Sequence, residues 1–532
     1  MVMVTYVEKL KMKKYYQYYL DISEDALFEG LLGYGMFSDR LPPIFSSADF
    51  FEKSSKIEQY LQSDKKCHDY LSFNVLRNTG DYRTINIPNP IAYYHLCCFL
   101  RENWNKIQNY FKATTNDQDS NISQIHLQYR ENKKSLFEMK SYESKYELAT
   151  EDSLIVGKKY CVTADISSCF PSIYTHAIPW ALIGKNKAKK ERSNGYWYNG
   201  LDKWCRNVTN GETHGILIGP HYSNLISEIV LTKIDQKIMS DKWQFVRYID
   251  DFHCYTKNEN DANAFLIQLY KALQEFGLTL NRKKISITRL PQINKDAWIS
   301  VLNSDEIVEN KKITSCRKLK AFFDKTLKLL TENDDNIAIL NYAIKIISSK
   351  KMGSKVEKYF IEYVFHLIFI YPYLITILNK CVLKKYEISQ IKLEKYISLL
   401  YSEGREQGNI EEQCYAIYYA IIYNLHIIPL ENLVKSVQVE MSKELDEDNN
   451  GILNLLIWCY FKNKKQNDVV ETIEDYAATL VNERGGNIDD NWLFLYEILP
   501  KNKLKQPYRT MKNESISFLS PELKKYIDNI GT

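Results

Sequence analysis

Three acidic residues occupy positions from which they could act together on a metal ion. Two of them are adjacent in the run YIDDF at 248–252, and β-forming residues flank this pair on both sides. Acids at the joint of two strands predict a tight hairpin with Asp250 and Asp251 near its turn. The third acid, Asp165, lies at the end of the strand-like run YCVTADI. If the two strands are neighbours in one sheet, Asp165 and Asp250 converge.

Carboxylate and phosphate oxygens are the ligands that Mg²⁺ prefers. Two such ions roughly 3.5–4 Å apart can bind the attacking hydroxyl and the leaving pyrophosphate oxygen of a nucleotidyl transfer. We therefore expect two Mg²⁺ ions as cofactor, with Mn²⁺ able to substitute, and Asp165, Asp250 and Asp251 as catalytic residues and metal ligands. A pair of acids also occurs on many solvated turns, so YIDD in isolation is weak evidence.

The elements that must position these acids change in type along the chain. Up to about residue 302, short runs rich in Val, Ile, Tyr and Phe alternate with helical patterns. Beyond it, apolar residues recur at helical spacing, as in NIAILNYAIKIISS at 336–349. Successive amphipathic segments with short breaks indicate a helical-repeat array. The predicted fold class is α+β, with an α/β domain over 1–302 and an all-α domain over 303–532.

Composition narrows the class of protein further. Hydrophobic residues make up 45% and charged residues 26% of the 532 residues, as in ordinary globular proteins. No stretch approaches about 18 uncharged apolar residues, so no membrane partner is expected. The 11 cysteines form no C-x-x-C pair, which argues against zinc and disulfides and for a reducing cytoplasm. A net charge of +4 does not exclude nucleic-acid binding, because such binding depends on a local basic surface and not on the overall charge.

Other segments surround the acids in a characteristic order. Phe170 follows Asp165 in DISSCFPSIYTHAIPW, the glycine-bearing run GILIGPHYSNL begins at Gly215, and GLTLNRKKISI follows the YIDD hairpin. In this order and spacing the segments resemble palm motifs A, B, C and D of reverse transcriptases. The runs THGILIGPHYSNLISEI and FVRYIDDF, with GLLGYGMFSDRLPPIFSS at 30–47 and YRTINIPNPIAYYHLCCFLREN at 82–103, resemble the bacterial abortive-infection (Abi-type), defence-associated group.

This resemblance implies an architecture and an activity. Residues 1–302 would form reverse-transcriptase fingers and palm, and 303–532 a HEAT-like α-helical repeat domain in place of a thumb. The implied activity is DNA synthesis from dNTPs in antiphage abortive-infection defence, within the bacterial cytoplasm. The expected partners are dNTPs, a single-stranded DNA product or a noncoding RNA, and further copies of the chain in a homo-oligomer.

The resemblance also assigns residues around the nucleotide. Phe170 corresponds to the aromatic ring beneath the sugar, which selects deoxynucleotides; the alternative is a core phenylalanine. Arg83 corresponds to the fingers arginine that contacts triphosphate, a role suited to a bidentate guanidinium; the alternative is a surface salt bridge. Lys284, or its neighbour Lys283, corresponds to a cation near the pyrophosphate, and a solvated lysine pair is the alternative.

Gly215, Gly219 and Ser223 correspond to the motif B loop, where missing side chains allow the backbone to approach the nucleotide. Two departures accompany this loop. Relatives that copy a template carry Pro-Gln-Gly where this chain has Leu217-Ile218-Gly219, and no convincing primer grip follows motif D. Both departures put ordinary copying of a long RNA in doubt and fit relatives that resemble protein-primed, untemplated polymerases. Tyr34, in the family-like run GYGMFSDRLPP, is the primer candidate, and the tyrosines of the helical half are the alternative.

A basic and aromatic segment follows motif A. Basic side chains contact phosphates and aromatic rings stack on bases, as single-stranded nucleic acid requires. A solvated loop with a hydrophobic anchor explains the same pattern. The predicted nucleic-acid-binding residues are Lys187, Lys189, Lys190 and Arg192.

Two further functions stay open at the level of sequence. One is a polymerase that copies a bound noncoding RNA. The other is a catalytically silent palm that serves as a nucleic-acid-binding toxin scaffold.

Overall fold

The structure is a computed structural model of the chain, and it describes residues 14–118, 122–124, 136, 154–291, 296–309, 311–436, 450–483 and 488–528. The larger sheet lies in the first half of the chain, and helices dominate the second half. In these ranges no helix is both long and apolar enough to span a membrane. The eleven cysteines all carry free thiols.

The first part of the chain combines short helices with one antiparallel hairpin. Its elements are α1 (Tyr15–Leu20), α2 (Glu24–Phe28), a π-helical turn (Glu29–Gly33), α3 (Ala48–Lys53), a 3₁₀ turn (Ser54–Ile57), α4 (Glu58–Leu61), β1 (Tyr70–Leu76), β2 (Tyr82–Pro88), α5 (Pro90–Glu102) and α6 (Trp104–Thr115). Burial alternates along β1, as a strand with one face in the core requires. Helix α5 begins where Asn89 accepts a hydrogen bond from the Ile91 amide and Pro90 occupies the first turn.

The central part contains the predicted palm. Its elements are β3 (Tyr160–Asp165), α7 (Cys169–Ser172), α8 (Ala177–Ile183), α9 (Lys185–Lys190), α10 (Trp197–Asn207), α11 (Tyr222–Ile238), β4 (Trp243–Tyr248), β5 (Asp251–Thr256), α12 (Glu259–Glu275), a 3₁₀ turn (Arg282–Lys284) and β6 (Ser286–Arg289). The four strands form one antiparallel sheet in the order β4-β5-β3-β6. Helix α12 packs on β3 and β5, and α11 packs on α12. This sheet and its helices position the three acids.

The remaining elements are almost entirely helical. They are α13 (Ala297–Asn303), α14 (Glu306–Glu309), β7 (Lys312–Ile313), α15 (Cys316–Glu332), α16 (Ala338–Ser348), β8 (Lys351–Met352), α17 (Ser354–Ile370), a 3₁₀ turn (Pro372–Leu374), α18 (Ile375–Leu378), a π-helical turn (Asn379–Leu383), α19 (Gln390–Glu406), α20 (Ile410–Ile422), α21 (Ile428–Ser436), α22 (Gly451–Asn463), α23 (Asn467–Glu483), a 3₁₀ turn (Asp489–Asn491), α24 (Trp492–Ile498), a 3₁₀ turn (Lys501–Lys503), α25 (Tyr508–Asn513) and α26 (Pro521–Asp528). Helices α20 and α22 are buried on nearly every side and form the centre of this half.

The prediction of an all-α second half needs one correction. Strands β7 and β8 pair in parallel as a two-residue ladder. Each strand lies in a connection between helices, and the pairing satisfies backbone groups that a helix cannot reach. The predicted boundary after residue 302 lies inside α13. A HEAT-like repeat remains a prediction.

The two halves of the chain pack against each other at their distant ends. Phe45 and Leu519 form an isolated antiparallel bridge. On either side of it, the Ser46 amide donates to the Phe518 carbonyl and the Ser520 amide to the Ile44 carbonyl, each at 2.8 Å. Buried side chains from both halves belong to one continuous hydrophobic core. The helical half therefore returns to the N-terminal part of the chain.

A buried histidine adds an ionic contact between the halves. His68 Nδ1 lies 3.1 Å from Asp489 Oδ2, and His68 Nε2 lies 3.4 Å from Asp64 Oδ1. Burial lowers the pKa of His68, but the hydrogen bonds and attraction of Asp489 and Asp64 outweigh it and raise the pKa to about 9. His68 is therefore an imidazolium at neutral pH.

This imidazolium makes stability depend on pH. A raised pKa stabilises the fold fully below the unfolded-state value of about 6.5, and the contribution is lost as the pH rises through about 9. We expect His68→Gln to lower the free energy of unfolding by on the order of 3 kcal/mol at pH 6, with a much smaller effect at pH 10. Urea unfolding at both pH values measures this. His366→Gln, at an exposed residue of the helical half, is the control. Equal losses at both pH values for His68→Gln contradict the prediction.

Candidate active site

The three acids meet at one end of the palm sheet. In the register of β3 and β5, Asp165 lies opposite Asp251. The Ile166 amide donates to the Asp250 carbonyl at 3.1 Å. The prediction that the two strands are neighbours, with Asp165 next to the YIDD pair, is thus confirmed.

The turn between β4 and β5 consists of two residues. Tyr248 pairs with Asp251, so Ile249 and Asp250 form the turn of the predicted hairpin. Ile249 has a φ of 57°, a conformation that a β-branched residue rarely adopts. Surrounding contacts must stabilise such a backbone.

Negative charge is crowded at this turn. Asp165 is almost buried, with 5% of its surface exposed, whereas Asp251 is exposed. Burial raises the pKa of Asp250, and repulsion from Asp165 and Asp251 adds to this, so that the pKa reaches about 6. Such a group of carboxylates favours a cation in its midst.

The donor set consists of hard oxygen ligands, as Mg²⁺ requires. Within the described ranges, however, no three His, Cys, Asp or Glu side chains are arranged as a ready metal site. The carboxylate of Asp165 instead accepts a hydrogen bond from the ammonium of Lys284. Binding a metal would require this ammonium to move, and the Lys284 side chain is 54% exposed, which leaves it room to do so.

Lys284 belongs to the 3₁₀ turn that follows the YIDD hairpin, and its place near a pyrophosphate stays a prediction. The Asn281 amide donates to the Asp165 carbonyl at 2.8 Å, and the Asn281 side chain accepts from the Lys283 amide. These bonds join the turn to the end of β3. The structure brings Lys284, and not Lys283, into contact with the acids.

The glycine loop (215–221) connects the palm to strand β2. Gly219 has a φ of +126°, and a Cβ atom there would lie 2.9 Å from Ile85 Cγ2 and 3.2 Å from the Asn86 carbonyl oxygen. The Asn86 amide donates to the Ile218 carbonyl at 2.7 Å. We expected the missing side chain to admit the nucleotide. The structure gives the missing side chain a packing reason, because the neighbouring backbone is that of β2, and the approach of a nucleotide stays a prediction.

The start of the loop is fixed by the segment after β3. Gly215 has a φ of +89°, and its amide donates to the Ile173 carbonyl at 2.9 Å. The Phe170 carbonyl accepts from the Ile216 amide at 3.0 Å. Phe170 is half-buried and packs against the core. The structure therefore places Phe170 beside the glycine loop, and its role beneath the sugar stays a prediction.

Ser223 lies inside the protein. Only 1% of its surface is exposed, and its hydroxyl donates to the Leu217 carbonyl at 2.5 Å. This bond fixes the glycine loop to the first turn of α11. This placement disfavours a direct contact between the Ser223 hydroxyl and a nucleotide, because the hydroxyl is buried and already forms a hydrogen bond.

Arg83 projects from β2 into the field of the acids. Burial and the neighbouring cations Arg77 and Arg40 lower its pKa, while the attraction of Asp250 opposes them. Arg77 is paired with Asp81 at 2.9 Å. Arg83 is exposed, so its guanidinium is accessible to a polyphosphate. The structure therefore brings Lys284 into contact with Asp165 and places Arg83 within the electrostatic influence of Asp250.

The basic segment forms a short helix, α9, with exposed cations. Lys187, Lys189, Lys190 and Arg192 all face solvent. Tyr196 and Tyr198 stack with centroids 5.3 Å apart, and the Tyr198 hydroxyl bonds to Glu191. Tyr198 is thus a buried anchor, whereas the basic side chains lie outside the core. The segment therefore has both the exposed cations and the hydrophobic anchor that its sequence indicates.

Sequence reasoning missed a buried ion cluster beneath the YIDD turn. Arg247 is completely buried, with its Nη1 2.8 Å from Glu228 Oε1 and its Nη2 2.6 Å from Asp235 Oδ2. Arg247 Nη1 also donates to the Ile249 carbonyl at 2.8 Å. Tyr15 completes the cluster with a 2.5 Å hydrogen bond to Glu228 Oε2.

A signal for this cluster does exist in the sequence. Glu228 and Asp235 are seven residues apart, so they lie on one face of α11. Arg247 lies one residue before the YIDD run on a strand whose other neighbours are apolar. A buried arginine of this kind requires acidic partners.

A family model described as "Reverse transcriptase (RNA-dependent DNA polymerase)" matches residues 101–332. The match contains the three acids, the glycine loop and Lys284, and it ends with α15. A reverse transcriptase domain is therefore present in the chain. No curated protein sequence matches the chain.

Solved telomerase structures are similar to the chain at low identity. Apo telomerase from Candida tropicalis shows 13% identity and a TM-score of 0.32, covering 70% of this chain and 68% of that chain. Telomerase from Candida albicans in complex with a TWJ fragment of telomeric RNA shows 11% identity and a TM-score of 0.30, covering 81% and 69%. Scores of this size do not establish a common overall arrangement.

The Arg247 cluster generates a prediction about stability. Arg247→Met leaves two carboxylates buried without their partner, and we expect it to lower the free energy of unfolding by about 3–5 kcal/mol. Replacing all three groups, as Arg247→Met, Glu228→Gln and Asp235→Asn, should restore more than half of the loss. Urea unfolding measures both. Arg289→Met, at an exposed arginine on β6, is the control and should change stability by less than about 0.5 kcal/mol. A loss below about 1 kcal/mol for Arg247→Met contradicts the prediction.

Proposed function

Because the chain contains a reverse transcriptase domain, we propose that it is a DNA polymerase that transfers nucleotides from dNTPs in antiphage abortive-infection defence. The carrying observation is the group of charged side chains around the YIDD turn. Three carboxylates lie at the ends of adjacent strands, with Lys284 bonded to one of them and Arg83 in the field of another. Nucleotidyl transfer needs carboxylates that bind a metal ion and basic side chains that bind a polyphosphate.

In this proposal Asp165, Asp250 and Asp251 would hold Mg²⁺, with Mn²⁺ able to replace it. Two bound ions would supply positive charge for the attacking oxygen and for the leaving pyrophosphate. The support from the molecule is the donor chemistry, together with the burial and the neighbouring negative charges that raise the pKa of Asp250 to about 6. A cation placed there relieves the repulsion.

The chain's own residues bind and orient the nucleotide. The guanidinium of Arg83 would bind the triphosphate in a bidentate manner. Lys284 would exchange its bond to Asp165 for one to the pyrophosphate oxygens, which is feasible for a half-exposed side chain. Phe170 would lie under the sugar and exclude a 2′-hydroxyl. Gly219 and Ser223 would act indirectly, by fixing the loop that connects this cleft to β2.

We also propose that synthesis starts on a tyrosine of the chain and proceeds without a template. The glycine loop carries Leu217 and Ile218, and Leu217 is buried, so neither supplies the polar side chain that meets a template. A tyrosine hydroxyl can replace a 3′-hydroxyl, because the reaction needs only an oxygen nucleophile in line with the α-phosphate.

Tyr34 is the candidate primer, and its surroundings support the choice. The next residue, Gly35, accepts a 2.8 Å hydrogen bond from the His221 amide. A Cβ at Gly35 would lie 2.9 Å from His221 Cβ, so the two segments are in close contact. Tyr34 is half-buried. It therefore lies next to the end of the glycine loop.

A bound noncoding RNA is the second candidate function. The observation that favours it is the exposed group of cations on and after α9, namely Lys187, Lys189, Lys190 and Arg192. Exposed cations of this density bind phosphates of either nucleic acid. Digestion of the co-purifying nucleic acid with RNase or DNase distinguishes the two functions, because a discrete RNA supports templated copying and covalent DNA supports protein priming.

The polymerase proposal is tested at the acids. Asp165→Ala or Asp250→Ala should reduce dNTP incorporation by about three orders of magnitude or more, because each removes a ligand that no neighbour replaces. Asp241→Ala, at an exposed aspartate before β4, is the matched control and should keep wild-type activity. Urea unfolding verifies that the variants are folded. Retention of a tenth of wild-type incorporation by either variant rejects the assignment of the site.

The priming proposal is tested by mass spectrometry of protein purified from cells and treated with nucleases. We expect a nucleotide remnant on Tyr34 that is absent from Tyr34→Phe and from Asp250→Ala. Tyr270→Phe, at an exposed tyrosine on α12, should keep the remnant. A remnant on another tyrosine rejects Tyr34, and extendable DNA with a free 5′ end and no adduct rejects protein priming.

A further inference from the structure

A cavity of about 540 Å³ lies between the N-terminal part and the helical half. One wall comes from residues 39–43 and the end of β1, and the opposite wall from residues 373–385 and α20. The three acids of the active site do not line it. Its volume is in the range of sites that bind a single small ligand, about 300–1,000 Å³.

Basic side chains dominate the charge of the cavity. Lys385 Nζ donates to the Ser348 carbonyl at 2.7 Å, and Lys384 Nζ lies 3.8 Å from Glu522 Oε1. Arg40 and Lys380 also line the cavity and are exposed. Neither forms an ion pair with any residue that the structure describes. Two cations are thus available to a ligand.

The two acids of the cavity, Glu411 and Asp39, offset only part of the charge of its four basic side chains. Glu411 is buried, and its carboxylate accepts a 2.6 Å hydrogen bond from the Leu76 amide. Burial raises the pKa of Glu411 to about 7, although the hydrogen bond from Leu76 and the attraction of Arg40 oppose it. Asp39 is the other lining acid. The balance of charge favours an anionic ligand.

Four tyrosines also line the cavity. Tyr415, Tyr418 and Tyr419 are buried, and the Tyr419 hydroxyl donates to the Ile375 carbonyl at 2.6 Å, which fixes its ring. Tyr373 is half-exposed and offers its ring to the cavity. Aromatic faces stack on nucleobases, and cations beside them bind the phosphates.

We propose that this cavity binds one nucleoside triphosphate, with its phosphates on Arg40 and Lys380 and its base against Tyr373. The aromatic wall favours a nucleoside over inorganic phosphate, and the limited volume favours one nucleotide over a strand. This site is distinct from the three carboxylates, and it does not depend on the proposed polymerase activity. Binding here requires no metal ligand of the active site.

The cavity nevertheless lies close to Arg83, a residue of the proposed active site. Val75, which lines the cavity, is the register partner of Arg83. Arg40 lowers the pKa of Arg83 by repulsion. The competing explanation is therefore that the cavity forms part of the substrate site, and the experiment must separate the two.

The test is calorimetric titration of the full chain with ATP in EDTA, where no divalent ion can support the carboxylate site. We expect one equivalent to bind wild-type protein, and Lys380→Glu and Arg40→Glu each to weaken binding at least about tenfold by reversing a charge at the phosphates. Lys355→Glu, at an exposed lysine of α17 outside the cavity, should bind as wild type does. No binding in EDTA, or wild-type binding by Lys380→Glu, overturns the proposal.

Further titrations separate the alternatives. The double variant Asp165→Ala and Asp250→Ala should still bind ATP in EDTA with wild-type affinity. Loss of binding in that double variant or in Arg83→Ala, with Lys380→Glu unaffected, assigns the ATP to the substrate site and overturns the proposal.

Inorganic tripolyphosphate should bind more weakly than ATP, and Tyr373→Leu should remove that difference. Equal affinity of the wild-type protein for ATP and tripolyphosphate overturns the proposal that the cavity recognises the nucleoside. Displacement of ATP by an equimolar oligo(dT) strand overturns the proposal of a single nucleotide and indicates a site for a nucleic-acid strand. Unchanged urea midpoints verify that each variant is folded.

Discussion

The geometry of the active-site turn depends on the buried guanidinium of Arg247. A fully buried charge is costly unless all its hydrogen bonds are satisfied, and Glu228, Asp235 and the Ile249 carbonyl satisfy them. Ile249 is the turn residue with positive φ. The same group that neutralises the two acids of α11 therefore also holds the backbone that presents Asp250. Strand β4, helix α11 and the turn cannot separate without exposing or unpairing this charge.

A second constraint joins the palm to the N-terminal hairpin. The glycine loop is bonded to β2 through Ile218 and Asn86 and is held to α11 by Ser223. Gly219 allows this contact, because a larger residue would collide with β2. Arg83 lies on the same strand. The backbone position of Arg83 is thus set by hydrogen bonds and close packing, and a change in the loop is transmitted to it.

The negative charges of the three acids are balanced by basic side chains that are free to move. The acids are anchored at strand ends, with Asp165 nearly buried, whereas Lys284, which is bonded to Asp165, and Arg83 are exposed. A charged group that is buried is stabilised by its partner at all times, but an exposed lysine can exchange that partner at small cost. The arrangement combines rigid acids with adaptable cations, which suits a site where a polyphosphate enters and pyrophosphate leaves.

The sequence by itself determined the features that depend on local patterns. The YIDD hairpin follows from two β-forming runs around a short polar joint, the strand ending at Asp165 from its Val and Ala content, and the helices of the second half from the spacing of apolar residues. The tertiary structure alone decided which residues face each other over long separations. Examples are His68 with Asp489, which are 421 residues apart, Gly219 with β2, and Arg247 with the acids of α11. Periodicity identifies the buried face of an element but not the element that covers it, so neither the burial of Ser223, nor the β7–β8 ladder, nor the cavity between the two halves could be predicted from the residues alone.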